Sequence, residues 1–219
     1  MDLQLFEYLQ TYLTERRKEL FKEVLNMRTK HFAVVTEDVY QLHNTSAVMR
    51  SCDVFGIQDL HVIEERFGKR VDKEIAMGAQ KWVDIYRHQN AVDCMKTLRA
   101  NGYQIIATTP HDNSTLLHEF DVAKKSAFFF GTEKLGVSEE VMQQADGFLK
   151  IPMYGFTESL NISVSAAIIL QEVVTRMRIE KVAWQLSAEE KLAMEFKWTQ
   201  NSIKSVDKIK ERYYNQKKV

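Results

Sequence analysis

The chain contains only two cysteines, Cys52 and Cys94, and neither belongs to a Cys-x-x-Cys pair. Two such cysteines give no disulfide framework and no zinc-finger spacing, and they are typical of a reducing compartment. The 30 basic and 30 acidic side chains leave no formal net charge, so a nucleic-acid partner must be held by local basic patches. The apolar run at residues 162–170 is far too short to cross a bilayer.

Other features are missing as well. The first residues have neither the basic nor the apolar segment of a signal peptide, so the sequence predicts a cytoplasmic protein without a membrane partner. His43 and His111 fall in predicted loops, but no second ligand stands at a useful spacing, and the sequence predicts no metal site. At 219 residues and 45% hydrophobic, the chain is large enough to bury the core of one domain with appendages.

Apolar strands and amphipathic helices alternate through the middle of the chain. Strands are predicted at residues 32–35, 60–63, 83–86, 103–108, 127–130 and 148–151. Helices are predicted at residues 45–55, 71–78 and 90–101, and from Ser138 and about Ser159 onward. Several strands are apolar on both faces, which is typical of parallel strands covered by helices. The sequence therefore predicts an α/β fold, a parallel sheet flanked by helices.

Both ends of the chain are predicted to be helical. Residues 3–26 carry apolar side chains at helical spacing, and the tetrapeptide SAEE at residues 187–190 has the pattern of a capping box. The last segment, residues 197–219, interleaves lysines with aromatic side chains, which is a modest signal for nucleic-acid binding. A solvated terminal helix explains that segment equally well. The candidate RNA contacts are Arg16, Arg17, Lys204, Lys208 and Arg212.

Three predicted strand ends carry unusual loops, and ligands of open parallel sheets bind beyond the carboxyl ends of the strands. The first loop leads into the helix of Arg50, the second runs from Gly131 to Gly136, and the third follows the strand at residues 148–151. A dinucleotide fingerprint is absent, and Val137 stands where a phosphate-binding loop needs lysine. The two glycines still permit a tight turn and close approach of a ligand such as adenosine to the backbone. In the third loop, Ser159 or Asn161 is a candidate N-cap for the next helix.

Together the three loops resemble the motifs of the SpoU/TrmH family of RNA 2′-O-ribose methyltransferases. They read NTSAVMRSCDVFG at residues 44–56, FGTEKLGVS at residues 130–138 and IPMYGFTESLNISV at residues 151–164. Each motif alone is a weak signal, but all three in the family's order and spacing are specific. The resemblance covers residues 30–180, and the helical ends resemble those of the subgroup that methylates guanosine 18 of tRNA.

This resemblance implies a SPOUT-type fold with a C-terminal deep trefoil knot, S-adenosylmethionine as methyl donor, and a homodimer. It implies an N-terminal helical extension at residues 1–29, a methyltransferase domain at 30–184 and a basic helical extension at 185–219. The positions that match cofactor-binding residues are Thr108, Gly131, Ile151 and Leu160. The positions that match the catalytic arginine and the other polar motif residues are Arg50, Asn44, Glu133, Ser159 and Asn161.

The expected reaction is methyl transfer to the ribose 2′-OH of guanosine 18 in the D-loop of tRNA. Arg50 is expected to stabilise developing negative charge rather than to act as a base, because a guanidinium stays protonated in proteins. Outside the resemblance, Arg50 reads as a surface arginine and Asn44 as a helix cap. Three alternatives stay open: methylation of ribosomal RNA, an RNA-binding protein without catalysis, and a Rossmann-type oxidoreductase, which the missing glycine fingerprint disfavours.

Overall fold

The structure is a computed structural model. It describes residues 1–39, 42–64, 78–110, 113–132 and 135–217, with residues 42 and 43 described for the backbone only. The chain divides into two compact units: Met1–Arg28 with Gln185–Val219, and Thr29–Trp184. Part of the predicted helix at residues 71–78 lies outside the described residues.

The described part of the chain contains eight α-helices and seven strands. The helices are α1 (Leu3–Gln10), α2 (Glu15–Leu25), α3 (Leu42–Phe55), α4 (Ala91–Ala100), α5 (Glu139–Gln144), α6 (Ile162–Ile179), α7 (Ala188–Ser202) and α8 (Val206–Gln216). The strands are β1 (Thr29–Glu37), β2 (Ile57–Ile63), β3 (Asp84–His88), β4 (Gln104–Thr108), β5 (Thr115–Leu116), β6 (Ser126–Phe130) and β7 (Gly147–Lys150). No helix in the described part of the chain is long and apolar enough to cross a membrane.

A seven-stranded parallel sheet forms the centre of the larger unit. Its strand order is β3-β2-β1-β6-β4-β7-β5, and each neighbouring pair runs parallel. The predicted α/β class is therefore confirmed, and six of the strands fall where the apolar runs predict them. The prediction of only six strands was wrong. Strand β5 has two residues, which is too short to produce an apolar run in the sequence.

Side chains from successive strand residues enter two separate cores. On one face, Phe32, Val34 and Phe128 pack with residues of α3 and α6. On the other face, Val35 and Phe129 belong to a cluster that contains residues of α4 and α5. This two-sided burial explains why the strands are apolar at nearly every position.

Helix boundaries in the larger unit follow the local capping residues. Asn90 caps α4 by accepting a hydrogen bond from the backbone N–H of Asp93 at 2.8 Å, and Gly102 follows the helix with a φ of +81°. Ser138 caps α5 by accepting from the N–H of Val141 at 3.3 Å. Asn90 and Ser138 thus mark where α4 and α5 begin, and Gly102 marks where α4 has ended.

The smaller unit is helical, and it corrects one prediction. The single helix predicted over residues 3–26 is wrong, because α1 ends at Gln10 and α2 begins at Glu15. The hydroxyl of Thr14 accepts a hydrogen bond from the N–H of Arg17 at 3.3 Å and so starts a new helix. The predicted capping box at Ser187 and Glu190 is confirmed, with both reciprocal hydrogen bonds present.

Candidate functional site

A cavity of about 630 Å³ opens where β4, β6 and β7 end. Four residues predicted to contact the cofactor line this cavity: Thr108 ends β4, Gly131 follows β6, Ile151 follows β7, and Leu160 precedes α6. The structure therefore brings these four positions together, although up to 52 residues separate them along the chain. Their placement at the carboxyl edge of a parallel sheet is the usual position for a ligand.

Backbone hydrogen bonds join the two ends of the loop after β6. The N–H of Thr132 donates to the carbonyl of Gly136 at 2.8 Å, and the N–H of Gly136 donates back to the carbonyl of Thr132 at 2.9 Å. A Cβ atom at Gly131 would lie 1.9 Å from the carbonyl carbon of Gly136 and 2.1 Å from the nitrogen of Val137. Gly136 itself adopts a φ of +67°, which disfavours residues with a side chain. At these two glycines the backbone of one end of the loop lies against the backbone of the other end.

Two asparagines connect the first and third loops. The Nδ2 of Asn161 donates a hydrogen bond to the Oδ1 of Asn44 at 3.2 Å, although 117 residues separate them. Asn161 also caps α6, since its Oδ1 accepts from the backbone N–H of Ser163 at 2.9 Å. Of the two N-caps considered for this helix, Asn161 is therefore confirmed. Asn44 is buried at the start of α3, so the contact fixes the third loop against the first.

The remaining predicted catalytic residues lie in different places. Ser159 is exposed and lines the cavity. Arg50 is exposed on α3 and is not among the residues that line the cavity, and its side chain forms no ion pair or hydrogen bond within the described residues. It lies six positions after Asn44 in the same helix, which places it about 9 Å further along the helix axis. Glu133 lies outside the described residues.

Two carboxylates at the cavity were not predicted as site residues. Glu158 and Glu139 both line the cavity, one from the third loop and one from the first turn of α5. The sequence offered a signal for Glu158, which stands among the polar residues of the third loop. Glu139 gave no separate signal, because acidic residues are common in the first turn of a helix.

A third carboxylate, that of Glu37, forms a hydrogen bond with the end of the second loop. The Oε2 of Glu37, at the end of β1, accepts a hydrogen bond from the backbone N–H of Ser138 at 2.7 Å. Glu37 is buried, so the contact is shielded from water. It holds the segment that follows Gly136 at the edge of the sheet, next to the cavity.

The predicted RNA contacts all belong to the smaller unit. Arg16 and Arg17 are exposed on α2, and Lys208 and Arg212 are exposed one helical turn apart on α8. Lys204 is exposed just before α8. The three C-terminal residues follow a four-residue spacing, and Lys208 and Arg212 share one face of their helix.

Comparisons with known proteins agree with the resemblance of the three loops to one family. The profile of the SpoU rRNA methylase family matches residues 31–171. The chain is 35% identical over 197 residues to a tRNA (guanosine(18)-2'-O)-methyltransferase of Borreliella burgdorferi, and 90% of each chain is covered. It is 38% identical over 159 residues to the protein of the same name from Thermus thermophilus, covering 73% of this chain and 82% of that one.

A solved structure leads to the same family. The A. aeolicus TrmH/SpoU tRNA modifying enzyme superposes with a TM-score of 0.78 and 34% sequence identity, covering 87% of this chain and 98% of that one. The match to the sequence profile spans all three loops. The chain therefore belongs to the SpoU rRNA methylase family.

Proposed function

We propose that this protein is an S-adenosylmethionine-dependent tRNA methyltransferase that modifies the ribose 2′-OH of guanosine 18 in the D-loop. The observation that carries the proposal is the meeting of the second and third motif loops around one cavity, with Asn161 of the third loop bonded to Asn44 of the first. Relatives at 35% and 38% identity that bear the name tRNA (guanosine(18)-2'-O)-methyltransferase support the choice of nucleotide.

The cavity fits S-adenosylmethionine in size and in chemistry. Its volume of about 630 Å³ falls within the usual range for sites that enclose small molecules. The side chains of Leu135, Val137 and Ile169 give it apolar walls, and Glu139 and Glu158 place carboxylates at its surface. A ligand that carries a sulfonium and an ammonium group is complementary to such carboxylates. Thr108, Gly131, Ile151 and Leu160 are the proposed contacts.

Residues of the first and third loops would position the ribose. When bound, S-adenosylmethionine supplies an electrophilic methyl group on its sulfonium, so the protein has to align and activate the 2′-oxygen. We assign Arg50 to the negative charge that develops on this oxygen while the proton leaves to a neighbouring phosphate or to water. We assign Asn44, Asn161 and Ser159 to holding the first and third loops in position. Glu133 is assigned with them to the polar residues of the catalytic site.

The proposal includes a deep trefoil knot and a homodimer. A knot is supported by the position of β7, which lies between β4 and β5 in the sheet although it follows both along the chain. A dimer is supported by exposed apolar side chains in the third loop and on α6, namely Tyr154, Phe156, Val164 and Ile168. Apolar patches of this kind mark interaction surfaces on many proteins.

We further propose that the helical ends serve RNA binding. Residues 1–29 and 185–219 are assigned as N- and C-terminal extensions of a methyltransferase domain at residues 30–184. The compact helical unit formed by Met1–Arg28 and Gln185–Val219 supports a role separate from catalysis, as do its exposed basic residues. The assigned compartment is the cytoplasm, in agreement with two buried cysteines that form no disulfide.

Methyl transfer to defined RNAs tests the proposed substrate. We expect labelled S-adenosylmethionine to methylate a transcribed tRNA at the 2′-oxygen of guanosine 18, mapped by resistance of the next phosphodiester bond to alkali. The matched control is the same tRNA with 2′-deoxyguanosine at that position, which lacks the reacting oxygen. Label in ribosomal RNA alone would keep the chemistry and overturn the tRNA assignment, and binding of tRNA without transfer would favour a non-catalytic binder.

Neutralising the C-terminal basic residues is expected to weaken tRNA binding and reduce its salt dependence. Each lost phosphate contact lowers the slope of log affinity against log salt by about 0.7 to 0.9. We therefore expect Lys208→Ala to reduce the slope by roughly one unit, as measured by filter binding at several salt concentrations. Lys96→Ala, an exposed lysine on α4 of the larger unit, is the matched control. Equal slopes of log affinity against log salt for the two variants would show that Lys208 does not contact the RNA.

A further inference from the structure

Away from the cavity, three metal-ligating side chains converge on one face of the sheet. One ring nitrogen of His61, one ring nitrogen of His88 and the sulfur of Cys94 all lie within 4.8 Å of one another. His61 belongs to β2, His88 is the last residue of β3, and Cys94 lies in α4, which packs on this face. We infer that these three residues form a binding site for a thiophilic transition-metal ion such as Zn²⁺.

The distances suit a small cation. Three atoms no more than 4.8 Å apart surround a point that lies within about 2.8 Å of each, against 2.0–2.1 Å for Zn–N and 2.3 Å for Zn–S bonds. Small side-chain rotations therefore bring all three atoms to bonding distance. The Nδ1 of His61 and the Nε2 of His88 lie 2.9 Å apart in a hydrogen bond, which a bound metal ion would replace.

The donor set selects the class of metal. Two imidazole nitrogens and one thiolate favour Zn²⁺ and other borderline or soft ions, whereas Mg²⁺ and Ca²⁺ prefer oxygen ligands. Three protein ligands leave a fourth tetrahedral position for water. Binding would require the loss of a proton from the Cys94 thiol, which then forms the sulfur–metal bond, and this proton leaves to solvent.

The surroundings hold the ligands in place and leave a route from solvent. The ring of His61 stacks on Tyr86 at a centroid distance of 4.8 Å and on His88 at 5.1 Å. Cys94 is buried, whereas His88 is partly exposed on an edge strand, where an ion can enter.

A metal at this position would connect three elements of the larger unit. It would join β2, the edge strand β3 and helix α4, and so stabilise the edge of the sheet opposite to β5. None of the three ligands lines the cavity, so the inference is independent of the proposed methyl transfer. Its expected effect is on metal content and thermal stability, since a ligand that binds only the folded state raises the unfolding temperature.

Cobalt substitution tests the site directly. Untagged full-length protein, stripped with a chelator, would be titrated with Co²⁺, and the thiolate-to-cobalt charge-transfer band and the d–d bands of tetrahedral cobalt would be recorded. We expect one ion per chain, displacement by Zn²⁺ and no competition from excess Mg²⁺. Zn²⁺ is also expected to raise the unfolding temperature measured by circular dichroism.

Variants separate this site from incidental binding. Cys94→Ser should abolish the charge-transfer band, and His88→Gln should weaken affinity by more than about 100-fold, the upper end of the loss caused by removing an outer partner. Cys52→Ser, at the other buried cysteine, and His118→Asn, at an exposed histidine, are the matched controls. A spectrum without the charge-transfer band, or one that persists in Cys94→Ser, would overturn the inference, as would equal affinity in His88→Gln and His118→Asn.

Discussion

Replacing Arg50 with alanine is expected to lower the rate of methyl transfer to tRNA by about 100- to 1,000-fold, the usual loss when one donor to a developing oxyanion is removed. Arg50 is exposed on α3 and its side chain forms no hydrogen bond or ion pair within the described residues, so its guanidinium is available to RNA. Because Arg50 does not line the cavity, we expect the Kd for S-adenosylmethionine to remain unchanged. Single-turnover kinetics and calorimetric titration with the cofactor measure the two quantities.

Two further variants define what Arg50 contributes. Arg50→Lys keeps a positive charge but loses the planar pair of donors, so we expect only partial recovery of the rate. Arg87→Ala is the matched control, because Arg87 lies on β3, does not line the cavity and forms an ion pair with Glu64 at 2.7 Å. A rate in Arg50→Ala close to that of Arg87→Ala would exclude Arg50 from the reaction. Loss of cofactor binding in Arg50→Ala would instead indicate a structural effect.

Gly131→Ala is expected to weaken S-adenosylmethionine binding and methyl transfer by roughly 100-fold, as a misplacement of about 1 Å at a reacting centre does. The new Cβ would lie 1.9 Å from the backbone of Gly136, and real Cβ contacts are essentially never shorter than 3.0 Å. The loop must therefore open by about 1 Å, which breaks the paired hydrogen bonds between Thr132 and Gly136 at one wall of the cavity.

Gly155→Ala provides the matched control for this substitution. Gly155 belongs to the third loop, and a Cβ there would meet no atom within 4 Å. We expect this variant to bind the cofactor and to unfold at the same temperature as the parent protein. Cofactor titration and thermal unfolding followed by circular dichroism should be run on both variants. Cofactor affinity in folded Gly131→Ala equal to that in Gly155→Ala would show that the loop after β6 does not form the binding wall.

The sequence predicted the parts of the fold that depend on local pattern. Strands such as β6 are apolar at successive positions because both faces of the sheet are covered, and this signal located six strands. Asn161 and Ser187 cap helices as predicted, because capping depends on a few neighbouring residues. The break at Thr14 was missed, because apolar residues at helical spacing continue across it.

The spacing of residues along the sequence did not predict contacts between residues that are distant in the chain. The bond between Asn44 and Asn161 depends on the packing of α3 against α6, which no local pattern specifies. The same holds for His61, His88 and Cys94, whose positions along the chain match no metal-binding motif. The two histidines converge because β2 and β3 pair in parallel. His61 lies opposite Tyr86, and His88 is two residues after Tyr86 on the same face of the strand. Resemblance located the cavity residues, and the strand ends explain why those residues meet.

The order of strands in the sheet also determines when this protein is able to fold during its synthesis. Strand β1 pairs on one side with β6, and Phe32 lies opposite Ser126, 94 residues later in the chain. A nascent chain that ends before Ser126 therefore carries β1 with one edge unpaired and its apolar side chains incompletely covered, a state that favours aggregation. Such long-range pairing is also slow. We expect this protein to complete its sheet late in translation. Until β6 has left the ribosome, the nascent chain has to be kept from associating with other chains.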